Sequence, residues 1–451
     1  MRLRLLPLIC ITAFLPLATK TTPEHHLEKA RTHKQTGQYE KAIQQYERAL
    51  VSSNTNLNLM LELALLHIQL GNYETALHLH DNILGYCPNH PDMLRNKGFI
   101  LKKMHRYQDA IATYKQALVV NPQDPRLLRG ISHAYLAIGD FERGWPAYEY
   151  RWVQPPAYVQ QFKSYLQQHN NLEGKTILLK TEYGLGDTMH FIRYAQLVKD
   201  LGATVVVESQ KPLVNLLSLC PFIDRVIPAG TPTPPTDFTC LLMSLPLVFD
   251  TTLETIPQNI PYLQADEHLV SFWADQLNKK LFNVGICWQA EVHQGSDNAR
   301  VQKDAQEKSI PLELLAYLSQ LPNVRLHSLQ KINGLEQLKK LPKSISVCEF
   351  GPDFDESHGA FMDTAAVMQH LDLVITIDTS VAHLAGGLGV PVWVLLPYHA
   401  DWRWMLNRDD SPWYSTMKLF RQSEAGNWTD VVSTIKKELK LHVTQWKRDE
   451  H

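Results

Sequence analysis

The sequence predicts a helical repeat region followed by a pair of doubly wound, parallel-sheet α/β domains. An aromatic-plus-small pattern recurs every 34 residues near the start of the chain and ends at Trp152. From Lys175 onward, short buried-strand runs alternate with amphipathic helices, and a second alternating set begins at Asn283. A fixed period of this length indicates stacked helical hairpins, and strand–helix alternation indicates parallel sheets.

The repeated pattern predicts a four-repeat α-solenoid over residues 23–153, because one hairpin cannot bury its apolar face alone. It resembles the tetratricopeptide repeat, as does the Asn121-Pro122 ending. The resemblance implies either a groove that recruits a protein or glycan, or a region that only rigidifies the chain. The aromatic run made of Gly144-Trp145 and the segment from Tyr148 to Trp152 predicts docking onto another domain. The repeated aromatics are Tyr39, Tyr73, Tyr107 and Phe141, followed by the small residues Ala42, Ala76, Ala110 and Gly144.

The two α/β domains are predicted over residues 170–265 and 275–445. Ligands of such sheets bind beyond the carboxyl ends of the strands, so candidate residues are expected in the loops that follow strands. The predicted strands are 176–180, 204–208, 225–227, 283–288, 324–329, 346–348, 373–377 and 390–396, with a helix at 188–201 in the first domain.

The composition is that of a soluble globular protein. The chain has 451 residues, of which 44% are hydrophobic and 20% charged, enough for two or three domains. A net charge of −2 gives no basic footprint, so no nucleic-acid partner is expected. The six cysteines form no C-x-x-C pair, which argues against a zinc site or disulfide framework and favours the cytoplasm.

Residues 1–22 form a possible signal or anchor segment. Arg2 and Arg4 precede an apolar run from Leu5 to Ala18, which is short for a membrane span. An exported or membrane-tethered protein therefore stays open as the alternative to a cytoplasmic one. No other membrane span is predicted.

The first candidate site is the loop after the first predicted strand. Gly184 and Gly186 allow tight turning and close approach of the backbone to a ligand. Asp187 begins the following helix, where its carboxylate can face the cleft. The alternative is that Asp187 only caps the helix by accepting backbone N–H bonds.

The second candidate is a strand-to-helix turn that contains Asp378, Thr379, Ser380 and His383. Backbone N–H groups and hydroxyls at such a turn form an anion site. His383 lies three and four residues after the two hydroxyls and therefore shares their helical face. This predicts a phosphate or diphosphate site; the alternative is a capped helix with a packed histidine.

Two further candidates follow strands of the second sheet. Lys308 precedes a predicted helix at the edge where ligands bind, although a lysine there is more often simply solvated. The segment Trp402-Arg403-Trp404 could stack on a base or sugar, or could fill the interface between domains, which the sequence favours.

These residues lie in segments that resemble the heptosyltransferase-type glycosyltransferases (glycosyltransferase family nine), in the branch that carries tetratricopeptide repeats. The resembling segments are GLGDTMHFIRYAQLV, GICWQA, KSIPLELL, DLVITIDTSVAHLAGGLGVPVWVLLP and DWRWMLNRDDSPWYSTMKLFRQ.

The resemblance implies a GT-B fold and a metal-independent enzyme without a cofactor, in which a nucleotide-diphosphate sugar is the donor. The acceptor would bind the first sheet domain, with Asp187 as general base. Lys308 would neutralise the donor diphosphate, and the turn from Asp378 to His383 would bind its phosphates. Gly184 and Gly186 belong to the substrate loop.

Two departures keep other functions open. The segment from Glu291 to Glu307 is polar and irregular where the family has a more regular basic loop, and the first sheet domain is short. A non-catalytic repeat scaffold with a degenerate transferase domain is therefore the main alternative. A protein O-linked N-acetylglucosamine transferase, which also joins repeats to a GT-B fold, fits the segments less well.

Overall fold

Helical hairpins recur every 34 residues at the start of the chain, as the sequence predicts. The computed structural model describes residues 22–53, 55–291 and 299–449, so the possible signal segment lies almost wholly outside the described residues. No helix in these ranges is long and apolar enough to cross a bilayer. The helices are α1 (Pro23–Gln35), α2 (Tyr39–Ser52), α3 (Leu57–Leu70), α4 (Tyr73–Tyr86), α5 (Pro91–Lys103), α6 (Tyr107–Val120), α7 (Pro125–Ala137) and α8 (Phe141–Tyr148).

Small residues allow the helices of each hairpin to approach closely. Ala42, Ala76 and Ala110 are fully buried at their repeated positions. Helix α3 ends at Leu70 and is followed by Gly71, which adopts the left-handed conformation (φ +84°) that a turn between helices needs. The repeated small residues are therefore packing positions, which is why the period is visible in the sequence.

The chain divides into two compact units, of which the first ends at Pro122 and the second begins at Gln123. The fourth hairpin, α7 and α8, therefore belongs to the unit that holds the sheets. Trp145 of α8 packs edge-on against Trp402 and donates its indole N–H to the Thr251 carbonyl at 3.0 Å. Tyr148 also packs on Trp402, and the indole N–H of Trp152 donates to Glu182 at 3.0 Å, so several residues of the aromatic run dock the last repeat.

The first sheet has four parallel strands in the order β3-β2-β1-β4. Strand β4 was not predicted, because its four residues follow the Pro- and Thr-rich connector without a clear alternation. The predicted helix at 188–201 is divided into α10 and α11. The elements are α9 (Ala157–His169), β1 (Thr176–Lys180), α10 (Leu185–Phe191), α11 (Arg193–Asp200), β2 (Thr204–Ser209), α12 (Val214–Ser218), β3 (Arg225–Pro228), β4 (Phe238–Leu241) and α13 (Leu245–Val248).

The second sheet has six parallel strands in the order β10-β9-β8-β5-β6-β7. Strand β10 and the long helix α19 were not predicted, although α19 buries Val431, Ile435 and Leu439 at helical spacing. The elements are α14 (Glu267–Ala274), β5 (Phe282–Cys287), α15 (Ala299–Lys308), α16 (Leu312–Ala316), β6 (Val324–Ser328), β7 (Val347–Cys348), α17 (Met362–Met368), β8 (Leu373–Ile377), α18 (Ser380–Gly387), β9 (Val392–Leu396), β10 (Met417–Arg421) and α19 (Trp428–Asp449).

The prediction of an irregular segment between Glu291 and Glu307 was wrong over residues 299–307, and residues 292–298 lie outside the described part of the chain. Helix α15 begins at Ala299 and ends at Lys308, so the lysine closes a helix rather than lying in a loop. Buried Ala305 anchors one side of this otherwise polar helix. The polarity that suggested irregular structure belongs to the solvent face.

Candidate functional site

The two predicted loops, one from each sheet, lie in direct contact. The glycine loop leads from β1 into α10, and the Asp-Thr-Ser turn leads from β8 into α18. A Cβ atom on Gly186 would lie 2.9 Å from Cδ2 of His383 and 3.4 Å from Cα of Ser380. Glycine is therefore required here by the close approach of the second loop, which brings the carboxyl ends of both sheets to one site.

Asp187 is the third residue of α10 and uses both carboxylate oxygens. Its Oδ2 accepts the backbone N–H of Gly184 at 3.0 Å, which caps the helix from inside its first turn. Its Oδ1 accepts a hydrogen bond from Nη2 of Arg403 at 2.6 Å. Asp187 therefore caps the helix, as the alternative predicts, and it also forms an ion pair with Arg403 of the second sheet domain.

Arg403 carries a buried positive charge shared by two carboxylates. Besides Asp187, its Nη1 donates to Oδ1 of Asp401 at 2.9 Å. Its guanidinium also lies over the Trp402 ring, 4.5 Å from the centroid. Burial opposes ionisation of Asp401, but the charges of Arg403 and Lys308 outweigh it and lower the pKa of Asp401 to about 2.

Lys308 and Asp378 form a second ion pair at the same edge, with Nζ 2.8 Å from Oδ2. The Asp378 side chain is buried, whereas that of Lys308 is 32% exposed. Burial lowers the pKa of Lys308, but the carboxylates of Asp378 and Asp401 exceed that effect and raise it. Lys308 therefore keeps its positive charge at the edge that also holds Arg403.

The turn before α18 lacks the side-chain cap that the alternative interpretation of this segment predicts. Thr379 is the N-cap residue, and its hydroxyl accepts no backbone N–H of the helix. Asp378 points to Lys308 instead. The first N–H groups of an eight-residue helix are thus not satisfied by a capping side chain.

His383 is buried in an aromatic cage rather than exposed beside Ser380. Its ring stacks on Trp404, with centroids 5.5 Å apart and planes 15° apart. Its Nδ1 is 2.8 Å from the hydroxyl of Tyr414. Burial, followed by the charge of Arg403, lowers the pKa of His383 well below its usual value, so the ring is neutral.

Arg193 holds this cage together and was not found by sequence reasoning. Arg193 is 2% exposed, and its guanidinium lies 4.4 Å from the centroid of the Tyr414 ring and donates to the His190 carbonyl at 2.8 Å. It also donates to the Tyr262 hydroxyl at 3.0 Å. No carboxylate in the described ranges pairs with it in a salt bridge, so carbonyls and aromatic faces stabilise the charge.

A second buried network, also missed, joins the end of the last repeat to the first loop. Arg151 donates to Glu149 at 2.7 Å and to Glu182 at 3.0 Å. Its Nη2 also bonds the Ser244 hydroxyl at 2.7 Å. Glu182 immediately precedes Tyr183, so this network positions the loop that carries Asp187.

The sequence offered unequal signals for these residues. Arg403 and Asp401 lie in the aromatic loop after β9, which was itself a candidate from the sequence, although not as a charged pair for Asp187. His190 lies within the glycine-aspartate segment. Arg193 and Tyr414 also lie within the resembling segments, but their roles could not be inferred there, because those roles depend on contacts between distant segments. The described residues contain no group of three or more His, Cys, Asp or Glu side chains placed to hold a metal ion.

Comparisons with known proteins support the repeats. The profile described as "Tetratricopeptide repeat" matches residues 100–158, and that of "Anaphase-promoting complex, cyclosome, subunit 3" matches residues 35–117. The chain therefore contains tetratricopeptide repeats in its N-terminal region. Both sheets lie outside these matches, which end at residue 158.

One curated relative and several solved structures are similar to parts of the chain. Protein FlbA of Caulobacter vibrioides is 23% identical over 325 residues, which is 66% of this chain and 52% of that protein. The chain thus spans about half the length of this relative. MamA AMB-1 is 23% identical over 28% of this chain and 70% of its own, with a TM-score of 0.27. MamA from Desulfovibrio magneticus RS-1 is 19% identical over 32% and 80%, with a TM-score of 0.28.

Proposed function

We propose that the chain is a cytoplasmic glycosyltransferase of the hexosyl or heptosyl class, with a GT-B fold. It transfers a sugar from a nucleotide-diphosphate sugar to a protein or glycan acceptor that the repeats recruit. The observation that supports this most is the 2.6 Å ion pair between Asp187 of the first sheet domain and Arg403 of the second. It joins the carboxyl ends of two parallel sheets, where folds of this kind bind their ligands.

The donor diphosphate would bind Arg403 and Lys308. Each cation is now held by carboxylates, by Asp187 and Asp401 in one case and by Asp378 in the other. A diphosphate carries more charge than one carboxylate and offers more acceptor oxygens, so it competes for both cations. The N-terminus of α18 adds backbone N–H groups, and together these donors stabilise the leaving nucleoside diphosphate without a metal.

Asp187 would act as the general base once Arg403 engages the diphosphate. Its Oδ1 is then released, while the bond from Gly184 to Oδ2 keeps the carboxylate oriented. The acceptor oxygen attacks the anomeric carbon as the bond to the diphosphate breaks. The acceptor proton passes to Asp187, and the bonding electron pair leaves with the nucleoside diphosphate, so the anomeric centre is inverted.

Donor binding provides the direct test. A thermal-shift and calorimetric screen of uridine, guanosine, adenosine and cytidine diphosphates is expected to identify one that binds. Lys308→Met should weaken that binding by roughly tenfold or more, since it removes a charge-assisted hydrogen bond. Lys303→Met, on the same helix, is the matched control and should leave binding unchanged.

The base is tested by a variant that keeps the donor site. Asp187→Ala should abolish sugar transfer while nucleoside diphosphate binding persists, because the residue holds the acceptor proton and not the phosphates. A protein whose melting temperature responds to none of the four nucleotides at millimolar concentration would contradict the proposed donor.

The second candidate function is a repeat scaffold with a non-catalytic two-sheet unit. It is favoured by the engagement of both Asp187 oxygens, which leaves no free carboxylate in this state. The double variant Asp187→Ala, His383→Ala separates the two functions. If the protein is a scaffold, this variant would still capture its protein partner and support the biological role. If the protein is a transferase, the variant would lose the biological role.

A further inference from the structure

The hydroxyl of Tyr414 lies between two histidines that come from different sheet domains. Its oxygen is 3.0 Å from Nδ1 of His190 on α10 and 2.8 Å from Nδ1 of His383 on α18. The two histidines are at most 5% exposed, and Tyr414 is fully buried. One buried hydroxyl is therefore within hydrogen-bond distance of two buried imidazoles.

Both imidazoles are neutral, which limits the protons available to them. Burial lowers the pKa of each ring well below its usual value, and the charges of Arg193 and Arg403 act in the same direction. A neutral imidazole carries one N–H, so each Nδ1 is either a donor or an acceptor.

The single proton of the Tyr414 hydroxyl cannot satisfy both rings as acceptors. At least one histidine must therefore carry its own proton on Nδ1 and donate it to the tyrosine oxygen. Tyr262, whose hydroxyl is 3.4 Å away, does not change this count because it donates to the Met189 carbonyl at 2.8 Å.

His190 is the ring that donates. Its Nε2 is buried without a hydrogen-bond partner in the described part of the chain. An unpaired buried N–H is rarer and more costly than an unpaired acceptor, so the proton lies on Nδ1. Tyr414 then donates to Nδ1 of His383, and the shorter of the two distances fits an O–H donor.

This direction of hydrogen bonding leaves the proton of His383 on Nε2. The neighbouring ring atom, Cδ2, faces Gly186, where a Cβ would be only 2.9 Å away. Among the described residues the hydrogen bond of this ring is made by Nδ1, and Nε2 is not one of the fully buried side-chain nitrogens that lack a partner. The ring thus presents a free N–H donor at the junction of the two loops.

We propose that Tyr414 is a positioning residue which, together with His190, holds His383 as the Nε2–H tautomer so that it donates a hydrogen bond to the donor diphosphate. The tautomer follows from the hydrogen-bond geometry and burial of these three residues, while its use on a diphosphate rests on the proposed function. In this way His190 of the first sheet domain would help to fix the hydrogen-bond donor that His383 presents in the second.

Nitrogen NMR on the full chain with ¹⁵N-labelled histidine tests the tautomers without any ligand. His190→Gln and His383→Gln assign the two rings. At neutral pH we expect His190 protonated on Nδ1 and His383 on Nε2. Equal tautomers, the reverse assignment or a charged ring at either position would overturn the proposal.

Tyr414→Phe then tests the consequence for the ligand. It should remove the preference of His383 for Nε2–H and weaken nucleoside diphosphate binding by roughly tenfold, the value of one hydrogen bond. Tyr194→Phe, which removes a buried phenol hydroxyl that touches neither imidazole, should change neither quantity.

The two proposals fail in different ways. If Tyr414→Phe leaves both the His383 tautomer and the nucleotide affinity unchanged, the positioning role is wrong. If the wild-type tautomers are as expected but no nucleoside diphosphate binds, the proposed function is wrong and the tautomer assignment stands.

Discussion

Charged residues are buried to different extents in the two compact units, the repeat unit that ends at Pro122 and the two-sheet unit that begins at Gln123. In the repeat unit, ion pairs lie at the surface: the side chains of Arg106 and Asp109 are 49% and 54% exposed. In the two-sheet unit, Arg151 and Glu182 pair with side chains 3% and 2% exposed. An exposed pair contributes little to stability, while breaking a buried pair leaves an uncompensated charge. The repeats are thus held by apolar packing, and the second unit depends on internal charge balance as well.

The largest expected effect comes from breaking a buried network. Arg151→Met leaves Glu149 and Glu182 buried without their cation, which should lower the free energy of unfolding of the second unit by about 3–5 kcal/mol. Urea unfolding followed by tryptophan fluorescence measures this unit alone, because all ten tryptophans lie at or after Trp145.

The matched control lies in the third hairpin. Arg106→Met removes an exposed partner of Asp109 and should change stability by less than about 1 kcal/mol, measured by far-ultraviolet circular dichroism. Similar losses in both variants would show that burial of charge does not distinguish the units.

The same difference explains how much could be predicted from the sequence. The repeats depend on Ala42, Ala76 and Ala110, whose regular spacing is visible in the sequence itself. The strands from β1 to β9, except β4, follow local hydrophobic runs. The candidate residues were placed by the rule that ligands bind at the carboxyl ends of strands.

The partners of those residues could not be predicted. Arg403 lies 216 positions from Asp187, and Tyr414 lies 224 positions from His190. Nothing local in the chain encodes which distant side chain will neutralise a buried charge or share a proton. That information appears only when the two loops are packed together, and it changes the chemistry expected of Asp187 and His383.

A smaller effect is expected from a buried histidine of the second sheet. Burial, followed by the nearby charge of Arg325, lowers the pKa of His327 to about 4. The unfolded chain takes up a proton near pH 6.5, and the folded protein does so only near 4. The associated stability is therefore present above pH 6.5 and is lost as the pH falls toward 4, by about 3 kcal/mol.

His327→Gln should remove this part of the acid destabilisation of the second unit. The measurement is the free energy of unfolding by tryptophan fluorescence between pH 7 and 4. His268→Gln, at an exposed position of α14 in the same unit, is the control and should leave the pH dependence unchanged. An unchanged acid slope for His327→Gln would mean that other buried groups set the pH response of this unit.

The smallest expected effect tests whether the repeat unit depends on close packing. A Cβ on Gly98 of α5 would lie 2.7–2.9 Å from three ring atoms of Tyr114 on α6. Gly98→Ala should therefore lower the stability of the repeats by about 1 kcal/mol, because overpacking exceeds the gain in helix propensity. Gly85→Ala in α4 meets no atom within 4 Å, so the propensity gain should raise stability by up to about 1 kcal/mol. Circular dichroism in urea should thus show shifts of opposite sign, and shifts of the same sign would contradict close helix approach as the basis of the repeat.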